Sequence, residues 1–261
     1  ATRLADQTWM QRNKGDFNVV ITDVTSGEGV LAVMGPNSRE LFAMVSPNDF
    51  SNTKNPFGTS QEIEIGMGLA RVHRVTYVGE LGWEVYISSD MAEHVFETLW
   101  TAGQELNAKL CGMHTMDTCR IEKGFRHFGH DITCEDHVLE AGLGFAVKTG
   151  KPKFIGRDAV LRKRELGLNA RLVQFKLTDP EPLLYHNETI LRDGEIVGYL
   201  SSGNYGHHLG GAVGLGYVPC KGESALDVLA SSYEIDVAGI RVNAEASLKA
   251  MYDPSGTRAK V

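Results

Sequence analysis

The sequence predicts an α+β chain in two parts, a mixed helix-and-strand region over residues 1–167 and an all-β module over residues 168–261. Three observations lead there. Before Gly167, helical periods alternate with short β-branched runs; after it, no long helical period occurs. The later strand-like runs are punctuated by Asp193-Gly194 and Ala238-Gly239, which read as hairpin turns. The 261 residues are 42% hydrophobic and 23% charged, enough apolar material for a sizeable core.

Taken in order, residues 3–14 read as the end of a helix, with Leu4, Trp9 and Met10 able to share a face. FNVVITDVT (17–25) alternates like a strand, and LAVMG (31–35) is a second one. Gly35-Pro36 breaks that strand, and Ser38 is placed to cap the helix RELFAMV. Residues 46–62 show little periodicity and read as loop. ARVHRVTYV (70–78) and WEVYIS (83–88) form a hairpin about GELG. Asp90 is expected to cap a helix over 91–106, whose apolar stripe is Val95, Leu99, Ala102 and Leu106. Further helices are expected over 114–123 and 157–166, with a short strand at 142–147 between them. RLVQFKL, ETILRDGEIVGYLSS, AVGLGYV and SYEIDVAGIRVNAEAS supply the strands of the β module.

Composition removes several functions. The net charge of −7 argues against nucleic-acid binding, which relies on excess Lys and Arg. No apolar run approaches the length of a membrane-spanning helix. Four cysteines without a CxxC pair fit reduced thiols in a cytosol-like compartment. Gly66-Met67-Gly68 lacks the third glycine of a dinucleotide loop, and Gly210-Gly211 falls between strands, so neither offers a flavin or nicotinamide site. His127, His130, Cys134 and His137 carry zinc-ligand chemistry, but their acidic, loop-like context reads as solvated, and no metal is expected.

Tyr77-Val78-Gly79-Glu80-Leu81-Gly82-Trp83-Glu84 is the informative segment. A hairpin here puts Tyr77 and Glu84 on neighbouring strands. Its plain reading is an exposed turn with Glu80 and Glu84 solvated. The alternative is a carboxylate that accepts two parallel N–H bonds from a flat heterocycle, beside an aromatic ring.

YVGELGWEV resembles the Y-x-G-E-x-G-x-E segment of the aminomethyltransferase, or glycine cleavage T-protein, superfamily. ITDVTSGEGVLAVMGPNSRELF, MDTCRIEKGFRHFGHDI with its R-x-E-x-G, LEAGLGFAVK, FIGRDAV, SSGNYGHHLGGAVGLGYV and YDPSGTR match in the same order. The wording of RIEKGFRHFG and the Tyr-Gly after SSGN resembles dimethylglycine and sarcosine dehydrogenases most closely. The resemblance implies a folate-binding domain followed by a C-terminal β-barrel, tetrahydrofolate as cofactor, Glu84 gripping the pterin and Tyr77 contacting the folate. It implies one-carbon capture from an oxidised N-methyl amine, giving 5,10-methylenetetrahydrofolate. FAD is then expected only on a separate N-terminal flavin-binding domain or subunit, and the location is cytoplasmic, or the mitochondrial matrix in a eukaryote. Glycine-cleavage members have Arg where this chain has Met116, which disfavours an aminomethyltransferase reading. A non-catalytic folate-binding module is the third reading. The family's catalytic Asp aligns upstream of Ala1, so the chain is expected to be N-terminally incomplete, with no catalytic residue of its own.

Overall fold

A computed structural model describes residues 2–261. The chain divides into two compact units: residues up to Val75 with Gly82–Ala108, and Thr76–Leu81 with Lys109–Val261. The α+β class is as the sequence predicts, with helices and antiparallel sheets followed by a closed antiparallel barrel.

The first unit is built on a four-stranded sheet, β1 (Glu28–Met34), β2 (Ser60–Ile65), β3 (Gly68–His73) and β4 (Gly82–Ser88), in the order β1-β4-β3-β2. The side-chain period of two sends Ile63, Ile65, Ala70, Val72, Trp83, Val85 and Ile87 to a buried face. Helices α2 (Ser38–Val45) and α3 (Ala92–Gly103) supply Leu41, Phe42, Val95 and Leu99 to this core. Phe42 stacks on Phe50 at 4.8 Å, and both present edges to Trp83 at 5.1 and 5.5 Å. The Trp83 Nε1–H donates to Asn55 Oδ1 at 2.5 Å, so the largest core side chain leaves no polar atom orphaned.

Several local expectations change. Helix α1 (Arg3–Asn13) forms but buries no residue. Residues 17–25 form no strand, because their β-branched alternation finds no ladder partner and β1 pairs with β4 alone. Conversely, the expected loop 46–62 ends in β2, whose Ile63 and Ile65 are held inward by pairing with β3. Strand β3 stops at His73, so an eight-residue connection over 74–81 replaces the tight GELG turn. Ser38 donates to the Gly35 carbonyl instead of capping α2, and α3 starts after Met91 without a side-chain cap from Asp90.

In the second unit, α4 (Met113–Glu122) precedes a long irregular stretch and α5 (Arg157–Leu166). The strand expected at 142–147 is a 3₁₀ turn over Gly144–Ala146; Phe145 is 85% exposed there and finds nothing to pair with. Strands β5 (Ala170–Leu177), β6 (Thr189–Arg192), β7 (Glu195–Gly206), β8 (Gly211–Pro219), β9 (Tyr233–Val237) and β10 (Ile240–Ser247) close in the order β10-β5-β8-β7-β6-β9. Closure removes free sheet edges. Both anticipated hairpin dipeptides take positive φ, 52° and 86° at Asp193-Gly194 and 53° and 87° at Ala238-Gly239. The six-residue helix Ala225–Ala230 was not anticipated; Ser224 and Asp227 form its capping box.

Two features set the barrel's shape. Gly216 on β8 lies against β6 and β7; a Cβ there would come within 2.5 Å of Ile190 Cδ1 and 2.7 Å of the Tyr199 carbonyl. On β7, the pairing with β8 steps from Leu200–Gly216 to Ser202–Leu215, which leaves Ser201 as the extra residue of a bulge.

Candidate functional site

The first unit presents Glu84 on the sheet face opposite its core. Register pairs Glu84 with Ala32 on β1 and His73 on β3, and pairs Tyr86 with Val30 and Arg71. The four polar side chains therefore share one face, half-buried at His73, Glu84 and Tyr86 and exposed at Arg71. Tyr86 Oη donates to Glu84 Oε2 at 3.0 Å. The His73 ring meets Tyr86 edge-on at 4.7 Å, and the Arg71 guanidinium lies 5.7 Å from the same ring and 3.3 Å from Glu28. Burial raises the Tyr86 phenol, and the Glu84 bond and charge raise it further, so Tyr86 remains a donor near neutrality. A carboxylate has about four lone-pair sites. One bond from Tyr86 orients Glu84 and leaves capacity for a donor pair from a planar ligand.

Tyr77 belongs to the second unit and lies in the connection, not on a strand. Its Oη donates to the Arg126 carbonyl at 3.0 Å, and its ring stacks nearly parallel to Phe125 at 6.2 Å. Burial pushes its phenol pKa up. Thr76 Oγ1 accepts the N–H groups of Val78 and Gly79, which curls the segment locally.

Glu80 departs from the solvated reading. Its side chain is 18% exposed, it accepts a short hydrogen bond from Tyr252 Oη, and Arg258 Nη1 lies 3.9 Å away. The partner is 172 residues distant along the chain, beyond any local pattern.

The R-x-E-x-G stretch is a brace for the second unit. Arg120 reaches Asp117 Oδ1 at 2.7 Å, Asp131 Oδ2 at 2.5 Å, Ser202 Oγ at 2.8 Å and the Phe125 carbonyl at 3.2 Å. Asp131 also accepts from the His127 N–H and from Ser201 Oγ. Consecutive strand residues normally point to opposite faces; the bulge at Ser201 lets both serines serve one network. Buried Glu122 accepts the N–H groups of His208 and Leu209 at 2.7 and 3.1 Å. Gln174 Nε2 on β5 donates to the carbonyls of Ile121 and Glu122 at the end of α4, which also accept the backbone N–H groups of Gly124 and Tyr252. These groups lock helix to barrel, a role their sequence spacing did not reveal.

His127 and His130 pack ring against ring at 4.5 Å, and His137 Nδ1 accepts the Leu139 N–H. Among the described residues, no group of three or more His, Cys, Asp or Glu is arranged to hold an ion. All four cysteines are free thiols, and among the described residues no helix is long and apolar enough to cross a membrane.

Residues 1–151 match the family model "GCVT N-terminal domain", and residues 171–253 match "Glycine cleavage T-protein C-terminal barrel domain". The chain belongs to the glycine cleavage T-protein family. Among curated members, 4-methylaminobutanoate oxidase (formaldehyde-forming) of Paenarthrobacter nicotinovorans is 42% identical over 92% of this chain and 29% of its own length. Human mitochondrial sarcosine dehydrogenase is 33% identical over 97% and 28%. The aminomethyltransferase of Halothermothrix orenii is 35% identical over 82% and 58%. The chain thus spans less than a third of the length of the first two of these relatives. The fold matches the crystal structure of the glycine cleavage aminomethyltransferase of Bartonella henselae with a TM-score of 0.81, at 21% identity, over 97% of this chain and 67% of that one.

Proposed function

We propose that this chain is the tetrahydrofolate-binding, one-carbon-accepting part of a flavoprotein that oxidises an N-methyl amine. Family membership supports folate as the ligand class, and the names of the 42% and 33% identical relatives support the amine-oxidising context. The observation that carries the reading is Glu84, oriented by Tyr86 on a polar sheet face with acceptor capacity to spare. A pterin edge offers a ring N–H beside an amino group, which a carboxylate matches in bidentate fashion. Tyr77, rigidified against Phe125, supplies an aromatic surface for the folate.

In this reading tetrahydrofolate supplies the two nitrogens that take up the carbon, and the oxidised methyl amine leaves demethylated as 5,10-methylenetetrahydrofolate forms. The chain's own contribution is positional: holding the acceptor beside a reactive one-carbon donor removes an encounter step and limits loss to water. The flavin-bearing domain or subunit and the amine belong to the rest of the assembly, in the cytoplasm or, as for the human relative, in mitochondria. Within the chain we assign residues 1–167 to the folate-binding domain and 168–261 to the barrel domain.

A second reading comes from the name of the 42% identical relative, which is formaldehyde-forming. There the one-carbon unit leaves as free formaldehyde. Titration calorimetry of the full-length protein with tetrahydrofolate tests the first reading. Glu84→Gln replaces one acceptor oxygen with a donor, and the lost charge-assisted bond of about 1.5–3 kcal/mol lowers affinity roughly tenfold or more. Equal affinities for wild type and variant reject the role of Glu84. Formaldehyde release undiminished by saturating tetrahydrofolate favours the second reading.

A further inference from the structure

We infer that Tyr252 and Lys123 are positioning residues that set the Tyr77 segment, so that the C-terminal YDPSGTR stretch tunes ligand affinity without touching the ligand. The inference rests on the folate reading of Tyr77. Every group involved lies in the second unit.

Residues 76–81 form no regular element, yet they are held at four points. Tyr77 is anchored to the Arg126 carbonyl. Gly79, at φ 80°, sits on the stem of Lys123; a Cβ there would lie 2.9 Å from Lys123 Cδ and 3.0 Å from its Cγ. Glu80 takes the Tyr252 hydroxyl on one oxygen, and Arg258 approaches the other. Lys123 in turn is fixed by Asp253, with Nζ 2.8 Å from Oδ2 and bonded to the Asp253 carbonyl. Its ammonium and the Arg258 guanidinium flank the Tyr252 ring at 5.9 and 5.6 Å, and His208 packs on that ring at 4.3 Å.

The arrangement is a clasp. Tyr252 is held by its ring and uses its hydroxyl on Glu80, while Lys123 is held by its ammonium and uses its stem on Gly79. A segment with no ladder hydrogen bonds depends on such contacts to keep one conformation. If Tyr77 meets the ligand, an unfastened segment must be ordered at the moment of binding, and affinity falls by that ordering cost.

Tyr252→Phe removes only the hydroxyl. In the full-length protein its Kd for tetrahydrofolate should rise about tenfold with Tm within experimental error of wild type. Glu80→Gln, which keeps an acceptor oxygen, should stay near wild type, whereas Glu80→Ala should match Tyr252→Phe. The double variant Glu80→Ala/Tyr252→Phe should be no weaker than either single, because both open the same clasp. An unchanged Kd for Tyr252→Phe overturns the inference, as does a Kd loss that scales with a fall in Tm across the set. Tyr77→Phe and Glu84→Gln run alongside: if neither weakens binding, the folate reading fails and takes this inference with it; if both do while Tyr252→Phe does not, this inference alone fails.

Discussion

Arg120 and Asp131 form an ion pair at 2.5 Å whose side chains are 2% and 0% exposed, and it links α4 to the serines of the β7 bulge. Two charges withdrawn from water are tolerable only because every partner is in place. Arg120→Met leaves the Asp131 carboxylate buried without its cation and should destabilise the chain by about 3–5 kcal/mol. Urea unfolding measures this, and Ser202→Ala, which removes one neutral partner, should cost only about 1 kcal/mol.

Acid sensitivity should have a specific source. Burial works to raise the Asp253 carboxyl, but hydrogen bonds from Lys123 and Thr257 and from the backbone N–H groups of Thr257 and Arg258 overcome it and hold the group well below the usual range. A carboxyl with a lowered folded pKa adds stability above the ordinary value of about 3.9, and that stability drains away as pH falls toward the folded value. Urea midpoints should therefore drop between pH 5 and pH 3, and Asp253→Asn should show a shallower drop from a lower starting point. Equal slopes for the two proteins would falsify the assignment.

Gly216→Ala should be costly for a small change. The added methyl meets the Tyr199 carbonyl at 2.7 Å, and a backbone atom in a closed barrel has little room to retreat. A loss of about 1–3 kcal/mol is expected from overpacking. Gly194→Ala, with open space around it but φ 86°, separates strain from crowding.

Trp83→Phe keeps an aromatic ring in the first unit's core but leaves Asn55 Oδ1 without its indole donor. The unmet buried acceptor costs about 1–3 kcal/mol, and the lost volume adds to it. Asn55→Ala in the Trp83→Phe background should then add little, a coupling that a double-mutant cycle reads directly.

How much of this was legible depends on how far along the chain each cause lies. Strands β5 to β10 announced themselves because barrel residues alternate and because Asp193-Gly194 and Ala238-Gly239 supply the left-handed φ that two-residue hairpins need. Residues 17–25 show the limit of the same logic: β-branched alternation states a preference, and a ladder needs a second strand. Alternation carries the expected strand through Tyr77 to Val78, and Gly79 and Gly82 read as the tight turn that follows, but β3 stops at His73. Gly79 in fact makes room for Lys123, and a Cβ at Gly82 would meet the Val33 carbonyl at 2.5 Å. Glu84 was legible as a motif position. Its orienting donor Tyr86, two residues on along the same strand, could have been found from the same-face rule and was not.

The pairing of Glu80 with Tyr252 also sets a timetable. The first partner is synthesised 172 residues before the second. At about 5–20 residues per second, that is a wait of roughly 10–35 seconds. Through that interval the strands on either side of the 74–81 connection can already pair, while Glu80 waits for its hydroxyl partner. Tyr252 then does for the Tyr77 segment what a latch does for a door already hung: it fastens a stretch whose flanking strands are already in place.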